Sequence, residues 1–252
     1  MLRLRADRMR LDIYLFERGL CDSRTDAKRY ITDGMVTVNS KCVTKASFDV
    51  SYADTVEVDK SGRKYASRGG VKLEAALDTF SIDVNGRIGL DVGASSGGFT
   101  DCLLSRGASR VIAVDSGTGQ LVESLRKDSR VLSFEGYNAR YMSQTDFPCI
   151  PNIAVMDVSF ISATLIIPAV YSTLDAVADF VCLVKPQFEV GRSGVGKGGI
   201  VKDEKMREYA KNKVVGSAVA CGFSLVGVIE SPIKGGDGNT EFLAYFKKGA
   251  DT

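Results

Sequence analysis

Between residues 88 and 185, five short apolar runs punctuate the chain: IGLDVG (88–93), VIAVD (111–115), VLSF (131–134), IAVMD (153–157) and FVCLVK (180–185). They are rich in β-branched residues and nearly free of charge until their ends. That is the pattern of strands buried on both faces. Stretches with helical spacing lie at 70–79, 98–106, 118–127, 162–176 and 203–221. Alternation of this kind predicts a parallel sheet with helices on both faces. Two later runs, 224–230 (SLVGVIE) and 241–246 (EFLAYF), have only a Gly-rich loop between them. That loop is too short for a parallel crossover, so the two should pair antiparallel. The expected class is α/β: a doubly wound, mostly parallel sheet with an antiparallel last strand.

Residues 1–59 read as a separate small α+β unit. In RLDIYLFE (10–17), Leu11, Tyr14 and Leu15 share one helix face. Gly19 ends that helix. Ser23 then precedes a second helical stretch with Asp26 three residues on, a capping box with Asp in place of Glu. Gly34 marks its stop. MVTVNSKCVT (35–44) follows as two alternating runs joined at Asn39-Ser40, a β-hairpin, and Phe48 to Val58 supplies one or two more strands. Residues 60–69 read as a basic linker, leaving 70–252 as the large domain.

The net charge is only +2, so any nucleic-acid partner must be met by local patches. One such patch exists. Residues 1–47 carry ten Lys or Arg against six acids, and 60–72 (KSGRKYASRGGVK) carries five bases and no acid. Arg10, Arg24, Lys28, Arg29, Arg63, Lys64 and Arg68 are the candidate phosphate contacts; a solvated surface is the competing reading. Arg24 and Lys28 are i,i+4 neighbours on one helix face.

The chain has no histidine, which excludes Ser-His-Asp and Cys-His nucleophile pairs. Six cysteines, at 21, 42, 102, 149, 182 and 221, show no C-x-x-C spacing, so buried thiols are expected rather than a metal site. No run reaches the ~18 apolar residues that span a bilayer, and no secretory signal is legible. A cytoplasmic, soluble protein without a membrane partner is expected, acting as a monomer.

The strongest local motif is DVGASSGGF: Asp91, Val92, Gly93, Ala94, Ser95, Ser96, Gly97, Gly98 and Phe99. It stands where the first sheet strand turns into a helix. Glycines there let backbone approach a ligand closely. The motif is neither G-x-G-x-x-G nor a P-loop. A loop opened by Asp suits a ligand with positive charge or hydroxyls, and S-adenosylmethionine carries a sulfonium, an ammonium and a ribose. A tight strand–helix turn with no ligand is the plainer alternative. Asp115 ends the second strand, where an acid accepts hydrogen bonds from cofactor ribose hydroxyls. Asn138, in EGYNAR after the third strand, is a candidate adenine contact. Asp157 and Lys185 end the fourth and fifth strands, Lys72 opens the first helix after the linker, and Glu241 begins the last strand. These four read equally as a catalytic set or as a structural ion-pair network.

Taken together, RLDIYL, SRTDAKRYITDGMVTVN, SRGGVKLEAAL, LDVGASSGGFTDCLL, MDVSFIS, VKPQFEVG and GGIVKD resemble the TlyA family of rRNA 2′-O-methyltransferases, related to FtsJ-type ribose methyltransferases. The resemblance covers nearly the whole chain. It implies a Rossmann-like methyltransferase domain behind a small RNA-binding module like that of a small-subunit ribosomal protein. It implies S-adenosylmethionine as cofactor, a cytidine 2′-OH in the rRNA of assembled ribosomal subunits as substrate, and no metal. The family's Lys-Asp-Lys-Glu set falls on Lys72, Asp157, Lys185 and Glu241, and Asp157 also borders the cofactor. Members have been described as haemolysins, but no membrane-active segment is present here.

In such a site Lys185 would face the 2′-hydroxyl. Burial and the positive charge of Lys72 and the sulfonium would favour a neutral, proton-accepting amine, while Asp157 and Glu241 would favour the charged form. A base and an electrostatic stabiliser therefore both fit. Two other readings remain: another Rossmann-type methyltransferase, or a non-catalytic RNA-binding or haemolysin-like protein. The fourth strand ends in DVSF, without the prolines of amine methyltransferases, which argues against the first. An intact cofactor loop argues against the second.

Overall fold

A computed structural model describes residues 8–21, 23–32, 34–59, 64–236 and 238–249. Arg63, one of the candidate phosphate contacts, lies outside them. The chain forms two compact units, residues 1–63 and 64–252.

In the first unit, β1 (Met9–Arg10) leads into α1 (Leu11–Glu17) and α2 (Arg24–Thr32). The expected helix at 10–17 begins one residue late, because Arg10 is extended and pairs with β4 (Asp49–Val50). Leu11, Tyr14 and Leu15 are buried against Ala27, Ile31, Val36 and Val50, as their spacing requires. Ser23 Oγ accepts the Asp26 N–H at 3.0 Å, which caps α2. The Asp26 carboxylate does not complete the box on the backbone; it takes the Ser23 hydroxyl at 2.7 Å instead. β2 (Val36–Val38) and β3 (Lys41–Cys42) form the expected hairpin, and β5 (Val56–Val58) pairs on the other side of β2. Asn39 and Ser40 both have positive φ, 51° and 63°, the geometry of a two-residue hairpin turn.

The second unit starts before the expected boundary at 70. Tyr65 is buried in its core and the Ala66 N–H donates to Asp101 at 2.7 Å, so part of the 60–69 stretch is packed rather than extended. Its elements are α3 (Gly69–Thr79), β6 (Ile88–Val92), α4 (Gly98–Ser105), β7 (Arg110–Val114), α5 (Glu123–Arg126), β8 (Val131–Phe134), β9 (Ile153–Met156), α6 (Ile167–Thr173), β10 (Ala178–Val184), α7 (Pro186–Glu189), α8 (Glu204–Ala220), β11 (Ser224–Glu230) and β12 (Phe242–Lys248). The sheet order is β11-β12-β10-β9-β6-β7-β8. The strands β6 to β10 are parallel; β12 runs antiparallel to β10 and β11 antiparallel to β12. Successive strand residues face opposite cores. Ile153 and Val155 join Leu73, Leu77 and Leu103 on one side, while Ala154 and Met156 join Ile167, Val170 and Val214 on the other.

Two helices are shorter than their spacing predicts. Of 118–127 only 123–126 is helical, because residues 119–121 are pulled onto a carboxylate: Glu135 accepts the N–H groups of Gly119, Gln120 and Leu121 at 2.8, 3.0 and 3.3 Å. Of 162–176, a 3₁₀ turn at 163–165 precedes an α-helix that stops at Thr173, with Pro168 in its first turn and Leu174 extended.

Candidate functional site

The chain leaves β6 toward β7 on one side and returns to β9 on the other, so strand order reverses between β6 and β9. Ligands bind at such a switch point, beyond the carboxyl ends of the strands. A cavity of about 350 Å³ lies there, lined by Gly93, Ser95, Asp115, Gln120, Tyr137, Asn138 and Asp157 among others.

The Asp91–Phe99 segment divides into two roles. Gly93 has φ +84°, and a Cβ there would meet the Asp157 carbonyl oxygen at 2.4 Å, so only glycine lets β6 turn this close to β9. Ser95 reaches the cavity. Ala94 and Phe99 are buried in the core, and Gly97 (φ +95°) caps α4 against Leu121 and Leu125. Gly98 packs on Ser67 and Gly70, and Ser96 gives its carbonyl to Val122. Asp91, Ala94, Ser96, Gly97, Gly98 and Phe99, expected at the cofactor, are not among the cavity's lining residues; all but Asp91 shape the turn.

Asp91 is fully buried. Its Oδ2 accepts the Thr100 hydroxyl at 2.6 Å, while Oδ1 is buried with no partner among the described residues. Burial pushes its pKa up to about 7, and the nearby charges of Asp157 and Asp115 push the same way. An orphaned acceptor and three acids at adjoining strand ends fit a ligand that brings positive charge. Asp115 Oδ2 accepts the Ser95 N–H at 2.8 Å and Oδ1 the Gly117 N–H at 2.7 Å. Each oxygen keeps a second lone pair, enough for a pair of ribose hydroxyls. Asn138 Oδ1 is already engaged with the Arg140 N–H at 3.1 Å, which leaves its amide N–H₂ free to donate.

The four ionisable residues form two pairs. Lys72 Nζ lies 2.5 Å from Glu241 Oε2, both buried. Lys185 Nζ lies 2.5 Å from Asp157 Oδ1, off the line of a good hydrogen bond, and donates to Ser159 Oγ at 2.7 Å. The register Val184↔Phe242 makes Lys185 and Glu241 the next facing residues across β10 and β12. Cross-strand neighbours stand about 5 Å apart, so the strand ends bring the two pairs side by side.

Sequence reasoning did not single out Ser159, Phe160, Gln120 or Tyr137. Phe160 has φ +65°, is 92% exposed, and its ring centroid lies 5.4 Å from that of Phe188. The aromatic residue directly after Asp157-Val158-Ser159 was legible; its backbone conformation was not.

The candidate phosphate contacts are mostly engaged with acids. In the first unit, Arg10 Nε and Nη2 hold the two oxygens of fully buried Asp12 at 2.8 and 3.1 Å, and Arg24 Nη2 adds a third contact at 3.3 Å. Both arginine side chains are nonetheless about half exposed, at 46% and 53%. Arg29 pairs with Asp26 at 2.7 Å. Lys28 is exposed with no partner among the described residues. In the second unit Lys64 pairs with Glu74, and Arg68 is half-buried at the start of α3.

Two family models match the chain: FtsJ-like methyltransferase over residues 65–248 and S4 domain over 9–56. It is 46% identical to Hemolysin A of Brachyspira hyodysenteriae, over 94% of this chain and 99% of that one. It is 43% identical to the 16S/23S rRNA (cytidine-2′-O)-methyltransferase TlyA of Mycobacterium tuberculosis, over 98% and 92%. A solved structure with a hemolysin designation from Streptococcus thermophilus superposes with a TM-score of 0.76 at 42% identity, covering 98% of this chain and 90% of that one. Among the described residues no helix is long and apolar enough to cross a membrane.

Proposed function

The chain belongs to the FtsJ-like methyltransferase family, among its TlyA members, and on that premise we propose that it transfers a methyl group from S-adenosylmethionine to the 2′-OH of a cytidine in ribosomal RNA. The observation that carries this reading is the adjacency of two features on one sheet edge: an acid-lined cavity at the β6 turn and the Lys185–Asp157 pair on its rim.

When bound, the cofactor supplies a methyl group already activated by a sulfonium. Asp91, Asp115 and Asp157 would hold its positive charge and hydroxyls, Asn138 its base. The remaining work is the residues' own. A ribose hydroxyl is a weak nucleophile and must lose its proton during attack. Lys185 Nζ holds the hydroxyl in line with the methyl group. Nζ in its amine form takes the hydroxyl proton as the oxygen attacks, and the Asp157 carboxylate, 2.5 Å away, stabilises the ammonium that results. Lys72 holds Glu241 in place, and Glu241, facing Lys185 across the strand ends, orients the Lys185 ammonium. Phe160, exposed and backed by half-buried Phe188, offers an aromatic face on which an unpaired base can stack.

The S4 domain fits RNA placement. Arg10, Arg24 and Lys28 contribute phosphate contacts, which fix position without reading sequence. The second-unit bases Lys64 and Arg68, with Arg63, extend that role. A cytoplasmic enzyme acting on assembled subunits follows from this substrate.

The test is incubation with methyl-labelled S-adenosylmethionine and separately purified small and large ribosomal subunits, with the label mapped by nuclease digestion. A 2′-O-methylcytidine in either rRNA is the expected product. Label on a base, on protein, or on neither subunit overturns the reading.

A further inference from the structure

Among the described residues of the second unit, one buried acid lies outside this mechanism. Glu189 is 4% exposed, at the end of the four-residue α7 that follows Lys185 directly. Its Oε1 accepts the Ala163 N–H at 2.7 Å. Its Oε2 accepts the Ser162 hydroxyl at 2.5 Å and the Lys213 ammonium at 3.1 Å. Lys213, on α8, also donates to the Glu189 carbonyl at 3.0 Å. One carboxylate thus ties three segments together: the loop after β9, the turn after β10, and α8.

The first two are the segments that carry the site. Asp157, Ser159 and Phe160 stand on the loop after β9; Lys185 and Phe188 stand on the turn after β10. They touch at one end through Lys185 to Asp157 and Ser159, and at the other through Glu189 to Ser162 and Ala163. Phe160 sits between these two ties in a left-handed conformation, which is strained for a bulky residue and persists only where surroundings enforce it. Its ring is 92% exposed and meets only the Phe188 ring among the described aromatic residues, so most of the enforcement comes from the backbone on either side.

We propose that Glu189 is a positioning residue: it locks the β9 loop to the β10 turn, and thereby sets the Lys185–Asp157–Ser159 geometry and holds Phe160 outward. It touches neither substrate nor cofactor. The inference rests on the methyltransferase reading for its kinetic consequence, but its structural consequence can be read separately.

The chain contains no tryptophan, so Phe160→Trp installs a single fluorescent reporter in the loop. In that background Glu189→Ala is expected to lower the reporter's anisotropy and to lower its acrylamide quenching, since a side chain already 92% exposed can only lose exposure when it is no longer held outward. In the otherwise unaltered chain Glu189→Ala is expected to lower kcat about 10²-fold, the effect of a displacement near 1 Å. The Kd for S-adenosylmethionine should rise far less than kcat falls, because Gly93, Ser95, Asp115, Gln120 and Asn138 line the cavity independently of this tie. Glu189→Gln keeps one acceptor, for the Ala163 N–H, and can donate its amide N–H to the Ser162 oxygen, so it should recover more of the rate than Glu189→Ala. If Glu189→Ala does not fold, Glu189→Leu with Lys213→Met, which removes the tie without leaving a buried unpaired charge, takes its place and is expected to change the reporter signal in the same way. Unchanged quenching and anisotropy overturn the proposal, as does a fall in cofactor affinity equal to the fall in kcat. Failure of the unaltered chain to methylate rRNA would sink the functional reading alone; the reporter still decides the tie.

Discussion

Lys72 and Glu241 stand 169 residues apart in the chain, and their charged groups meet at 2.5 Å with both side chains buried. A buried charge stripped of its partner costs about 3–5 kcal/mol, whereas a neutral, similar-sized replacement of both costs far less. Glu241→Ala should therefore lower the melting temperature by roughly 6–20 °C for a unit of this size. The pair Lys72→Met with Glu241→Gln should restore melting but not methyl transfer. Restored activity in the double variant would make the pair purely structural. Gly235 gives a finer probe, since a Cβ there would meet Glu241 Oε1 at 2.3 Å. Gly235→Ala should reduce rate more than cofactor affinity.

Lys185→Ala should cost at least about 10²-fold in methyl transfer, the usual weight of a positioned proton acceptor. Calorimetry should find S-adenosylmethionine affinity largely intact, because Lys185 does not line the cavity. A loss of affinity matching the loss of rate would assign Lys185 to cofactor binding instead.

Asp91 makes stability depend on pH. Its folded-state carboxyl keeps its proton to about pH 7, mainly because burial disfavours the charge, while the unfolded chain releases it near 3.8. Folding is thus most favoured below that lower value and is penalised increasingly as pH rises toward 7. Asp91→Asn should flatten this slope, seen as a smaller drop in melting temperature between pH 5 and pH 8. A bound cation favours the ionised form, so binding of S-adenosylmethionine by the unaltered protein should release protons near neutral pH. Calorimetry in two buffers of different ionisation enthalpy reads that release, and none should remain in Asp91→Asn.

Asp12 anchors the first unit. Hydrogen bonds from Arg10, and then Arg24, hold its carboxyl below the ordinary carboxylate range. Its stabilisation is present above about pH 4 and is lost as pH falls through the lowered value. Asp12→Ala should destabilise α1 and α2 by about 2 kcal/mol, the weight of a charge-assisted hydrogen bond. Faster hydrogen exchange of α1 amides at neutral pH checks this. It should also weaken RNA binding, by freeing Arg10 and Arg24 from fixed positions.

How much of this was legible beforehand follows from the range of the interactions involved. The hairpin turn at Asn39-Ser40, the face shared by Leu11, Tyr14 and Leu15, and all seven strands of the large sheet are set by neighbours within a few residues, and the sequence pattern reveals them. The helix expected at 118–127 failed because Glu135, on the far side of β8, takes the N–H groups of residues 119–121. The division of DVGASSGGF into cavity residues and turn residues was likewise hidden, since both kinds of glycine look alike in one dimension. Family-level motifs pointed to Lys72, Asp157, Lys185 and Glu241, but not to which lysine pairs with which acid.

By itself the sequence determined the alternation of strands and helices, the glycine turn after β6, the absence of histidine chemistry and a small basic unit ahead of the large one. These depend on residue type and local spacing, to which burial and backbone sterics respond directly. Only the tertiary structure decided that Arg10 and Arg24 share one buried carboxylate, that Phe160 stands outward in a left-handed conformation, and that Glu189 binds the β9 loop to the β10 turn. Each of these is a contact between segments distant in the chain, and its energy depends on a distance that exists only once the sheet has formed.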